Sequence, residues 1–129
     1  MNKILIVDDD EEIVSFLEVV LQQKNYQVIT ACNGQEGLKK AKENIPDLAL
    51  VDIMMPIMNG HELCEKLKDD PDTKHIPIII ITGREMLDDE VDKILERRAD
   101  WYMPKPFDIK YLLEKIESLI IKKQRLNPR

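Results

Sequence analysis

Leu48-Ala49-Leu50-Val51-Asp52 is an apolar run that stops on a carboxylate, and Ile76-Pro77-Ile78-Ile79-Ile80-Ile81 is a second such run that stops on Thr82-Gly83. Runs this short and uniformly apolar read as parallel strands covered on both faces, because a half-exposed strand would alternate. Between them, Gly60 to Lys68 reads as a helix and Asp69-Asp70-Pro71-Asp72 as a turn. Towards the N-terminus, Lys3 to Val7 is a further run of this kind. Ile13, Phe16, Leu17, Val20 and Leu21 follow it at the spacing of a helix buried on one face. Tyr26, Val28 and Thr30, alternating with Gln27 and Ile29, read as a more peripheral strand. Asn33 with Glu36 marks the start of a helix that Ile45-Pro46 ends. Towards the C-terminus the pattern predicts a helix from Leu87 to Arg97 with Leu87, Val91, Ile94 and Leu95 inward, then a short strand from Trp101 to Met103. A last helix carries Ile109, Leu112, Leu113, Ile116, Leu119 and Ile120.

Five strand–helix units joined by right-handed crossovers predict a single α/β domain, a doubly wound five-stranded parallel sheet with five helices on its two faces. A barrel needs more strands than 129 residues supply here. Residues 1–121 form the expected domain, and 122–129 read as a basic tail or the start of a linker. Only 5% of residues are aromatic and 34% are charged, a globular balance. The longest apolar stretch is far short of a membrane span. Five acidic residues, Asp8 to Glu12, follow the N-terminal apolar run where a secretory signal would continue, so the expected location is cytoplasmic. Cys32 and Cys64 show neither a disulfide framework nor metal-ligand spacing, and both are expected as free thiols at least half buried. The formal charge is −6; without the tail's Lys122, Lys123, Arg125 and Arg129 it falls to −10. A body this acidic repels phosphate backbones, which argues against direct nucleic-acid binding.

In open α/β sheets the chemistry gathers at the carboxyl ends of the strands, beside the point where strand order reverses. The first strand ends in Asp8-Asp9-Asp10, the third in Asp52 and the fourth in Thr82-Gly83, and the fifth is followed by Lys105-Pro106-Phe107. The second ends in Ala31-Cys32, which offers nothing comparable. In the 2-1-3-4-5 order of known doubly wound sheets, Asp8, Asp9 and Asp52 converge, flanked by Thr82 and Lys105. Two unit charges ~5 Å apart at an effective dielectric of ~20 repel by roughly 3 kcal/mol, so three unpartnered carboxylates cost on the order of 10 kcal/mol. Such a site needs a cation, and an oxygen-loving ion that keeps several waters, Mg²⁺, suits it. With an ammonium from Lys105 and a hydroxyl from Thr82, the set fits the transfer and holding of a phosphoryl group.

These pieces in this order resemble a response-regulator receiver domain of two-component signalling. The match runs over about residues 3 to 121: Ile4 to Asp10 for the acidic pair, Asp52 to Gly60 for the phosphoacceptor and its loop, Thr82-Gly83 for the switch hydroxyl and Lys105-Pro106-Phe107 for the lysine turn. The resemblance implies a flavodoxin-like fold and a phosphorylation-controlled switch that is not a stand-alone enzyme. Asp52 would accept a phosphoryl group from the phosphohistidine of a sensor histidine kinase or phosphotransfer protein. Asp8, Asp9, Asp52 and the Met54 carbonyl would hold Mg²⁺, and Lys105 and Thr82 would bind phosphoryl oxygens. Tyr102 would turn inward, remodelling the surface of the Leu87–Arg97 helix, the fifth strand and the last helix. Homodimerisation on phosphorylation, an output domain or downstream target, and a cis Lys105-Pro106 bond belong to the same expectation. Arg98, where the family usually has glycine, Trp101, commonly acidic, and Pro104 depart from the pattern on the output face. Met54 and Arg84 occupy positions where the family tunes dephosphorylation.

Singly, each feature has a blander reading: Asp10 as a helix cap, Asp52 as a turn former, Thr82 as a capping hydroxyl, Lys105 as a solvated charge. Met54, Met55 and Met58 read as loop packing, and His61 with Cys64 as half of a metal site with no second half. Two rival functions remain. A phosphatase using Asp52 as nucleophile would want a second acid two residues on, where Met54 stands. A flavin-binding module would want a Gly- or Ser/Thr-rich phosphate loop after the first strand, where the acidic triplet stands.

Overall fold

The computed structural model describes residues 1–83 and 99–126. Five strands, β1 (Lys3–Val7), β2 (Gln27–Ala31), β3 (Leu48–Asp52), β4 (Ile78–Thr82) and β5 (Trp101–Pro104), form one parallel sheet in the order β2-β1-β3-β4-β5. Four helices lie among the described residues: α1 (Glu11–Gln23), α2 (Gly34–Asn44), α3 (Gly60–Asp69) and α4 (Ile109–Leu126). The helix expected from Leu87 to Arg97, together with Arg84 and Arg98, lies outside the described residues.

The uniformly apolar strands are explained by two cores, one on each face. Leu5, Val7, Ala49, Val51, Ile78 and Ile80 point towards Ala41 of α2 and Leu63, Cys64 and Leu67 of α3. Their neighbours Ile4, Ile6, Leu48, Leu50, Ile79 and Ile81 meet Leu17 and Leu21 of α1 and Leu112, Ile116 and Ile120 of α4. With period-two side chains, a strand buried on both sides has no position to give to a polar residue until it ends. The first polar side chains after β1 and at the end of β3 are therefore Asp8 and Asp52.

Every described helix opens on an Asx side chain that accepts hydrogen bonds from the first turn. Asp10 accepts from the amides of Glu12 and Ile13, Asn33 from Glu36, Asn59 from Glu62, and Asp108 from Lys110 and Tyr111. Each cap satisfies donors that the helix cannot, worth about 1 kcal/mol.

Several local expectations are corrected. Phe16 is 51% exposed; half-buried Ile13 and Val14 both pack on the core, so the face of α1 is turned towards Val14 and away from Phe16. β4 starts at Ile78 and not Ile76, because Pro77 has no amide to give and the Ile76 amide is bonded to the Thr73 carbonyl. Cys32 is exposed, while Cys64 is buried as expected. The last helix runs to Leu126, into the segment read as a tail, and Lys123 reaches Asp47 at 3.9 Å. None of the described helices is long and apolar enough to cross a membrane.

Candidate functional site

Register builds the site. Val7 pairs with Val51 across β1 and β3, so the next residues, Asp8 and Asp52, emerge side by side at the same edge of the sheet. Asp52 is level with Ile81 and Thr82 with Pro104, which carries the chain directly into Lys105. Asp8 and Asp52 are each only 6% exposed, Thr82 is fully buried, and Asp9 is exposed. Carboxylate oxygens of Asp8, Asp9 and Asp52 lie within 4.8 Å of one another. Lys105 Nζ stands 2.8 Å from Asp8 Oδ2 and 3.9 Å from Asp52 Oδ2.

Backbone contacts fix these groups. The Lys105 amide donates to the Thr82 carbonyl at 2.8 Å, which ties the lysine turn to the end of β4; the Lys105-Pro106 peptide is cis, as the resemblance implied. Asp8 Oδ1 accepts from the Asp10 amide at 2.9 Å, so the residue that caps α1 also steers Asp8. The Gly60 amide donates to the Ile53 carbonyl at 3.0 Å, and a Cβ on Gly60 would stand 2.3 Å from the Asp52 carbonyl oxygen. Only glycine lets α3 begin this close to the end of β3.

Burial pushes the Asp52 carboxyl up to about 6, with the Asp8 carboxylate adding to the rise and Lys105 opposing it. The Met54 amide donates to Asp52 and also opposes the rise, while the Met54 side chain points away, 59% exposed. Desolvation together with the Asp8 carboxylate outweighs the adjacent ammonium. The donors are all hard oxygens. Three clustered carboxylates offer the hard oxygen donors that a divalent ion such as Mg²⁺ takes.

Of the other predicted site residues, Tyr102 lies in β5 level with Ile80, half-buried against the core on the α2–α3 side. Trp101 carries Lys115 Nζ 3.7 Å over its ring, an attraction between β5 and α4 where the family commonly has an acidic residue. Pro104 is tolerated because β5 is an edge strand. Sequence reasoning missed the surroundings of Ala31-Cys32. Cys32 Sγ donates to Glu36 at 3.0 Å, and the pair lines a concavity of about 290 Å³ with Asp8 and Glu11. The signal was the Asn33–Glu36 cap spacing, which turns Glu36 back over Cys32.

Residues 4–117 match the family model of the response regulator receiver domain. The chain is 44% identical over 119 residues to the response regulator PleD of Caulobacter vibrioides, covering 91% of this chain and 26% of that protein. It is 43% identical over 122 residues to the response regulator ArlR of Staphylococcus aureus, covering 93% of this chain and 53% of ArlR. The chain thus spans between a quarter and about half of these relatives. Among solved structures, a CheY-like receiver domain protein from Methanospirillum hungatei aligns with a TM-score of 0.90 and 35% identity over 98% of this chain and 99% of that one. The BeF3-activated N-terminal receiver domain of Klebsiella pneumoniae RstA aligns with a TM-score of 0.85 and 28% identity, over 92% of this chain and 98% of that one. Fold, residue pattern and relatives agree: this chain belongs to the response-regulator receiver domains.

Proposed function

We propose that the chain is a phosphorylation-controlled switch in which Asp52 takes a phosphoryl group from the phosphohistidine of a sensor histidine kinase or phosphotransfer protein. An Asp52 carboxylate oxygen forms a bond to phosphorus, the phosphorus–nitrogen bond breaks, and its electron pair stays on the imidazole. Mg²⁺, held by Asp8, Asp9, Asp52 and the Met54 carbonyl, supplies the positive charge that lets dianionic phosphate approach an acidic pocket. Lys105 leaves Asp8 for a phosphoryl oxygen; its flexible stem and point charge suit such a move. Thr82 donates its hydroxyl to another oxygen. Tyr102 follows inward, which changes the surface of β5, α4 and the segment between β4 and β5. That surface is where a downstream target, an output domain or a second phosphorylated copy would bind, and the cytoplasm is where the kinase chemistry would meet the chain.

One observation carries the reading: Lys105, Asp8 and Asp52 lie within 3.9 Å contacts at the ends of separate elements, with Asp9 completing the carboxylate set. A stand-alone phosphatase is disfavoured because the side chain two residues past the nucleophile is the apolar, exposed Met54. Intact-mass measurement after incubation with acetyl phosphate is expected to show one added phosphoryl group with Mg²⁺ and none with EDTA. Unchanged labelling of Asp52→Asn would refute the assignment of the acceptor.

A further inference from the structure

The opposite end of the sheet carries the opposite charge. Beside the start of β4, and far from Asp52 along the strands, a concavity of about 280 Å³ is walled by Lys68, Lys74, Lys122 and Lys123. Pro77, Leu119 and the exposed Leu126 add aliphatic surface to its lining. Asp100 is the one acid in its lining, already engaged by Lys68 at 3.4 Å and by the Ile78 amide at 2.7 Å. Lys123 is drawn towards Asp47, but the exposed Lys74 and Lys122 reach no carboxylate among the described residues. On a chain of net charge −6, this concentration of ammonium groups is a local reversal. One wall belongs to the end of α4, with Leu119, Lys122, Lys123 and Leu126 all beyond residue 117, where the family match stops.

We infer that this basic, partly aliphatic concavity docks an acidic peptide segment of a partner protein, an apolar side chain packing against Leu119 and Leu126 with flanking carboxylates facing Lys74 and Lys122. Charge complementarity selects the sign of the ligand, and the aliphatic lining selects its apolar centre. A small phosphate compound fits less well. The lining offers dispersed lysine point charges, with neither the planar arginine fork nor the helix N-terminus that phosphate sites use, and no aromatic ring to stack a base.

The test is an amide-resolved NMR titration of the whole chain with a heptapeptide of one central leucine flanked by glutamates. Supporting results are shifts centred on Lys74, His75, Lys122 and Lys123, their loss with the glutamine version of the peptide, and weaker binding at high salt. Lys74→Glu with Lys122→Glu should weaken binding by roughly tenfold or more, since two exposed attractions become repulsions. Acetyl phosphate labelling of Asp52 should be unaffected, so failure here and failure of the proposed switch are separate results. The inference is overturned if the peptide shifts nothing or shifts residues elsewhere. Equal binding by the double variant would also overturn it, as would inorganic phosphate or ADP binding as tightly as the peptide.

Discussion

Replacing Asp52 by Asn should stabilise the domain, and by an amount that depends on pH. The carboxyl rises from its ordinary 3.8 to about 6 in the folded chain because it is buried beside Asp8. Between those values the folded state holds a proton that the unfolded state has lost, so stability falls as pH rises through the window. Above it, the folded domain bears the full cost of an ionised Asp52. The difference of about two pKa units, at ~1.4 kcal/mol each, amounts to about 3 kcal/mol. Asparagine carries no charge and removes that slope. In EDTA, urea unfolding followed by circular dichroism should show the two proteins nearly equal near pH 4. The variant should be more stable by about 3 kcal/mol at pH 7.5, about 10 °C in Tm for a domain of this size. Adding Mg²⁺ should narrow the gap, because the native cluster binds the ion more tightly than the variant. A gap unchanged between pH 4 and 7.5, or a variant less stable than the parent at pH 7.5, would refute the argument that Asp52 is ionised at a cost.

The other perturbations test neighbouring parts of the same structure. Lys105→Met should abolish phosphoryl retention yet bind Mg²⁺ several-fold more tightly by isothermal titration calorimetry, since the ammonium that competes for Asp8 at 2.8 Å is gone. Gly60→Ala should destabilise the domain by about 2 kcal/mol or more in urea unfolding, because the added methyl meets the Asp52 carbonyl oxygen and the Ile53 backbone rather than a mobile side chain. Ile57→Asn should raise stability by about 1 kcal/mol, since a β-branched residue at φ 70° is strained and this one, 74% exposed, buries little to compensate. Lys68→Met should cost roughly 2–3 kcal/mol by the same assay: its ammonium donates to the Lys74 and Ile76 carbonyls at 3.2 and 2.7 Å and pairs with Asp100.

What could be read in the sequence follows from how much each feature depends on one-dimensional pattern. β1, β3 and β4 are buried on both faces, so their runs are uniformly apolar and end where the first carboxylate or hydroxyl is tolerated; Asp8, Asp52 and Thr82 were legible for that reason. The starts of α1 and α2 were legible because an Asx cap and its amide partner are two or three residues apart. Phe16 was misplaced because apolar spacing fixes the face of α1 only to within a residue, and the tilt against the sheet decides whether Val14 or Phe16 faces inward. Lys68 was invisible: its partners at residues 74, 76 and 100 are set by how the turn after α3 folds back on β4. That α4 continues to Leu126, into the segment read as a tail or linker, was not legible because Lys122, Lys123 and Arg125 look like a solvated linker, while Lys123 leans on Asp47.

The same reasoning explains why the lysine at the site has two partners of unequal distance. Sequence order predicts that Lys105 meets the acidic cluster but not which carboxylate it prefers. In the folded chain its ammonium sits against Asp8, the group pinned by the Asp10 amide, and 3.9 Å from Asp52. Burial raises the Asp52 pKa first and the Asp8 carboxylate adds to it, while Lys105 at 3.9 Å offsets only part of the rise. Neutralising Asp52 by a phosphoryl–metal pair would remove the penalty and at the same time offer Lys105 a stronger acceptor than Asp8. On the proposed reading, the cost of ionising buried Asp52 is what phosphorylation would relieve, and the ammonium that would respond already lies 3.9 Å from it.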